Sequence, residues 1–152
     1  MHYKCLRGRE PSYDEVDQEC SKLITLEQRK YIEKCLILAR KSNLTQKHGC
    51  VLVKNKRIIS SGYNFKIQEA FIQKQDNIAK KTIFSVHAEI STIKKVKNQN
   101  LSECDMYIVR LGPESQTCNH VKYSHPCKVC HSYIQKFNIR KVYYSVNSDI
   151  SL

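Results

Sequence analysis

The chain has 152 residues, of which 41% are apolar, and a net charge of +12. That length suits one domain with one substantial core, and that apolar share excludes a disordered polyelectrolyte. No apolar run approaches the roughly 18 residues of a membrane span, and the polar opening "MHYKCLRGRE" is not a signal peptide, so a cytoplasmic protein without a membrane partner is expected.

Residues 1–24 show no clean period and carry Gly8, Pro11 and mixed charge; they read as an N-terminal extension with one helical turn at most. "TLEQRKYIEKCLILARKS" follows as a helix. Thr25 and Gln28 have capping-box spacing, and Ile32, Cys35, Leu36 and Ala39 fall on one helical face. Two β-rich runs, Cys50–Val53 and Ile58–Ser61, flank a polar "KNKR" and predict a hairpin. The stretch 65–85 has weak helical character and reads either as a lid or as a solvated connector. A helix is expected over Ala88–Lys97, a strand over Asp105–Leu111 and a polar loop as far as Pro126. A second amphipathic helix, "CKVCHSYIQKF", and a final strand, Lys141–Val146, complete the order. Strand–helix–strand over 105–146 implies a right-handed crossover and a parallel pair. The class is α/β, one mixed sheet flanked by helices.

Eight cysteines in a chain without a secretory leader read as buried thiols or metal ligands rather than disulfides. Cys35 and Cys50 lie in apolar patterns and are expected in the core. Cys127 and Cys130 form a Cys-x-x-Cys at a helix start, so both sulfurs lie on one side, within reach of one tetrahedral ion. His87 opens the other helix. One imidazole and two thiolates give zinc three ligands, and a catalytic zinc keeps its fourth position for water. Glu89, two residues from His87, is placed to take and return the proton of that water.

His-x-Glu followed by Pro-Cys-x-x-Cys is the zinc deaminase signature, met here by "HAE" at 87–89 and "PCKVC" at 126–130. A chance Pro-Cys-x-x-Cys in such a chain is on the order of 1%, and both motifs together on the order of 0.3%. On these residues, and on "GCVLVKNKRIISSGYN" as the first hairpin, the chain resembles the cytidine deaminase-like superfamily from His48 to Val146. The similarity to cytidine and deoxycytidylate deaminases extends to tRNA adenosine deaminases.

That resemblance implies a three-layer α/β/α fold whose first four sheet strands run in the order 2-1-3-4, with zinc as cofactor. It implies that Asn64 hydrogen-bonds substrate and that the Ala88 backbone N–H orients the base. A zinc-dependent deaminase domain is expected over 25–152. The family's fifth strand is expected to be missing, because the chain stops six residues after Val146. The open edge this leaves points to a homo-oligomer.

The expected reaction is hydrolytic deamination of a small-molecule cytosine nucleotide or nucleoside, deoxycytidylate-like. One alternative is a base in RNA or single-stranded DNA, stacked on Tyr63, Phe65, Phe71 or Tyr123. Another is a non-catalytic zinc module that binds nucleic acid through its charge. A structural zinc would need a fourth ligand from Cys118, His120, His125 or His131. Cys118 and His120 would also suit a second zinc, with Cys104 or His125. Arg110 reads either as an exposed strand-end cation or as a phosphate contact.

Overall fold

The structure, a computed structural model, describes residues 3–7, 24–67, 84–96, 100–112 and 121–146. Its elements in chain order are β1 (Tyr3–Arg7), α1 (Leu26–Arg40), β2 (Lys47–Lys54), β3 (Arg57–Tyr63), β4 (Phe65–Ile67), β5 (Phe84–Val86), α2 (Ala88–Lys94), β6 (Asp105–Leu111), β7 (Val121–Lys122), α3 (Lys128–Lys136) and β8 (Lys141–Ser145). The main sheet runs β1-β8-β6-β2-β3, with β7 added to the end of β6. β6 and β8 are parallel, as the crossover through α3 requires. Numbering the strands as the sequence analysis did, the order 2-1-3-4 holds.

Alternation along the two central strands sorts the core into halves. Val51, Val53, Tyr107 and Val109 point to α1, where they meet Tyr31, Ile32, Cys35 and Ala39. Cys50, Leu52, Met106 and Ile108 point the other way, to Ala88, Ile93 and Ile134 of α2 and α3. Cys35 and Cys50 are both fully buried, one in each half. The capping box forms: Thr25 Oγ1 accepts from the Gln28 N–H, and Gln28 Oε1 accepts from the Thr25 N–H. Asn55 and Lys56, at φ 48° and 62°, make the two-residue turn between β2 and β3.

Each flanking layer depends on one glycine. A Cβ on Gly49 would strike the Cys35 carbonyl oxygen and come 2.7 Å from the Ala39 nitrogen, so α1 rests on β2 backbone to backbone. A Cβ on Gly62 would come 2.6 Å from Thr92 Oγ1 and 3.0 Å from the Thr92 nitrogen, which lets α2 close on β3. Ser60 and Thr92 then join across that contact at 2.7 Å.

Several expectations need correction. Tyr3–Arg7 of the N-terminal extension is a strand, not a helical turn, and it pairs antiparallel with β8 from Tyr3↔Ser145 to Arg7↔Lys141. The sheet edge expected to lie open is therefore covered by the chain's own N-terminus. The polar loop after β6 returns as β7, with Arg110↔Lys122 and Leu111↔Val121 in register. α2 stops at Lys94 rather than Lys97, where Lys95 turns its N–H to Ile93 O. The two ends of the 65–85 segment pair as β4 and β5, Phe65↔Val86 to Ile67↔Phe84, while 68–83 lies outside the described residues.

Candidate active site

His87 and Cys127 are the N-cap residues of α2 and α3, both in extended backbone conformation. A residue at that position usually turns its side chain back onto the helix. Neither does so here, and both face one another instead. His87 Nδ1 lies 3.5 Å from Cys127 Sγ and 3.3 Å from Cys130 Sγ, and the three donor atoms all lie within 4.8 Å of one another. A tetrahedral zinc with ordinary bond lengths has N···S edges of about 3.6 Å, so the group fits that ion. Among the described residues no fourth His, Cys, Asp or Glu joins it.

The electrostatics point the same way. Cys130 is fully buried, and burial, followed by the neighbouring Glu89 carboxylate, pushes its thiol well above the ordinary range. The protein alone therefore does not hold Cys130 as a thiolate. A divalent cation reverses that balance and deprotonates a coordinating thiol. Glu89 follows His87 in the first turn of α2 and is only 4% exposed. Burial raises its carboxyl, partly countered by its own backbone N–H, the His87 ring and the Cys130 thiol.

His87, Ala88, Glu89 and Cys127 line a cavity of about 510 Å³, which Asn64 also lines. Ala88, as the first helical residue, has an N–H with no intrahelical acceptor. Asn64 is buried, and its amide is largely committed. Oδ1 accepts from the His48 N–H at 2.7 Å and Nδ2 donates to Gln46 O at 2.6 Å. One N–H and one lone pair remain for a ligand. The Phe65↔Val86 ladder pair sets Asn64 beside His87.

The other ligand candidates fall away from the group or from view. His125 lines the cavity, but its Nδ1 lies 2.8 Å from Pro126 O and its ring stacks on Tyr123. His131 and Cys104 do not join the group. Cys118, His120 and Phe71 lie outside the described residues. Sequence reasoning missed His48 and Gln46 in the cavity wall. Their only signal was adjacency to the hairpin, and what brings them in is Asn64, sixteen and eighteen residues away.

Residues 26–146 match the family described as the cytidine and deoxycytidylate deaminase zinc-binding region. The chain belongs to that family. It is a zinc-dependent family, and zinc is the cofactor for which the three donors are spaced. No curated protein matches the chain. Among solved structures the chain is similar to the dCMP deaminase of cyanophage S-TIM5. Its apo form is 20% identical, with 80% of this chain and 83% of that one covered and a TM-score of 0.54. The form in complex with dCMP and dUMP is 20% identical, with 82% and 84% covered and a TM-score of 0.57. At that identity the likeness is one of fold. Among the described residues no helix of this family member is long and apolar enough to cross a membrane.

Proposed function

We propose that the chain is a zinc-dependent hydrolytic deaminase of a cytosine nucleotide or nucleoside, deoxycytidylate-like. The observation that carries this reading is the buried Glu89 carboxylate in the same cavity as a three-donor group with no fourth ligand among the described residues. The cyanophage relative of the same fold binds dCMP and dUMP, which supports the choice of base.

In this reading His87 Nδ1 and the Cys127 and Cys130 sulfurs hold the metal. Zinc held there would supply Lewis-acid charge and make water more acidic. Glu89 takes the proton of the attacking water and delivers it to the ring nitrogen beside the amine-bearing carbon. Glu89 then carries the second proton to the departing amine, so that amine and water become carbonyl and ammonia. A carboxyl raised by burial is better matched to taking up and giving back a proton than one at its ordinary value. The Ala88 N–H and the uncommitted N–H of Asn64 orient the base and sugar.

A base in RNA or single-stranded DNA is the second reading. Tyr123 supports it, because it lines the cavity, is 48% exposed and lies parallel to His125 at 6.0 Å between centroids; such a platform suits a flipped base. A non-catalytic zinc module gives no use to Glu89. A cytoplasmic setting suits the free thiols at Cys35, Cys50, Cys104, Cys127 and Cys130. A homo-oligomer would form on β3, an edge strand in this sheet that exposes Ile58 and Ile59.

The test is ammonia release from cytosine, deoxycytidine, dCMP and a cytosine-containing oligonucleotide. The small compounds should be turned over. Glu89→Gln should keep its zinc and lose at least roughly 10²–10⁴-fold in rate. Failure of every cytosine compound with zinc-loaded protein would overturn the reading, and turnover of the oligonucleotide alone would favour the second.

A further inference from the structure

Arg110 is a charged group in the cavity wall that the chemistry above does not use. It continues the row of Met106 and Ile108 along β6, so its side chain points to the α2–α3 side of the sheet. There it lines the same cavity as His87 and Glu89. In register it stands between His48 on β2 and Lys122 on β7, and residues directly opposite in antiparallel strands share a face. A second cation, Lys122, therefore flanks it on the β7 side.

The guanidinium is poorly satisfied. Its Nε is buried and has no hydrogen-bond partner. Nη1 donates to Tyr123 O at 3.4 Å, long for such a bond. Among the described residues no carboxylate pairs with it, whereas Arg140 holds Asp105 by two bonds of 2.8 and 2.9 Å. The acid lining the cavity is Glu89, which has its own role beside the metal donors. An always-charged fork kept half-buried without an anion is costly. Its planar donors match a phosphate, and a cavity of about 510 Å³ falls in the size range of sites for one small ligand.

We propose that Arg110 binds the phosphate of a nucleoside monophosphate substrate and so selects nucleotides over nucleosides. This rests on the deaminase reading of the same cavity. It goes further by naming the phosphate state and the residue that reads it. The anionic end of the substrate would lie against β6 and β7 and its base against His87 and Glu89.

The experiment compares zinc-loaded wild type, Arg110→Gln and Arg110→Lys. One arm measures kcat/KM for dCMP and for deoxycytidine; the other measures binding of dUMP and of deoxyuridine by calorimetry. Zinc content and Tm serve as the folding control. The wild type should favour dCMP. Arg110→Gln should lower the dCMP-to-deoxycytidine ratio roughly 10- to 100-fold, weaken dUMP by a similar factor, and move deoxyuridine far less. Arg110→Lys should recover part of the ratio. An unchanged ratio, or equal losses on both substrates, would overturn the assignment while leaving the deaminase reading intact. If no cytosine compound is turned over but Arg110→Gln still weakens dUMP selectively, the phosphate site stands and the deaminase reading falls.

Discussion

His87 and Cys127 build the proposed metal site out of two helix starts. Because each sits at an N-cap without capping, its side chain is free to face the neighbouring helix, and Cys130 completes the group one turn into α3. Replacing Cys130 by Ala should leave two donors and reduce bound zinc far below one ion per chain, read by metal analysis after gel filtration. His48 makes a different prediction. Burial, and then the Arg110 charge, push its imidazole down to about 4 from 6.5. The folded state thus binds this proton more weakly than the unfolded chain. Stability should be fully present above pH 6.5 and should fall as the pH drops from 6.5 towards 4. The loss should be smaller in His48→Gln, compared by urea titrations at pH 7 and 5. That His87, Cys127 and Cys130 gather close to Glu89 was legible in the sequence, because two short motifs carry them. The tethering of Asn64 was not, since its partners Gln46 and His48 become visible only once β2 and β3 have paired.

At the scale of elements, α2 carries two of the groups that matter, and Gly62 sets how close it comes to the sheet. Gly62→Ala should cost about 1–3 kcal/mol, seen as a lower Tm, and should weaken zinc retention by displacing His87. Gly49→Ala, against α1 on the opposite face, should lower Tm as well yet leave zinc affinity near the wild-type value; competition with a zinc chelator separates the two. The segment leading to Cys127 is fixed by paired serines. Ser145 Oγ donates to Lys122 O at 2.7 Å, Ser124 Oγ donates to Ile108 O at 3.0 Å, and the two hydroxyls meet at 2.8 Å. Long elements with a clear period, such as α1, β2 and β6, were readable from sequence. The strands β1, β4, β5 and β7 were not, because each is short and forms only through a partner strand that local pattern does not reveal.

Over the described residues the molecule is a two-faced sheet, with α1 on one side and α2, α3 and the candidate site on the other. Covering β8 with β1 places the N-terminal strand at the sheet edge farthest from β3. The net charge of +12 suits attraction of an anionic nucleotide, and the rate at low substrate should fall as salt rises. Zinc bound only by the folded state adds stability by mass action, about 4 kcal/mol at a thousand times its dissociation constant, so a chelator should lower Tm markedly and abolish ammonia release together. The central claim is narrower: one imidazole and two thiolates hold the ion and leave a position for water beside Glu89. Zinc-edge X-ray absorption on the purified protein tests it most directly. The account predicts two sulfurs near 2.3 Å, one imidazole nitrogen and one light atom without imidazole scattering. A third sulfur or a second imidazole in the fourth position would contradict it.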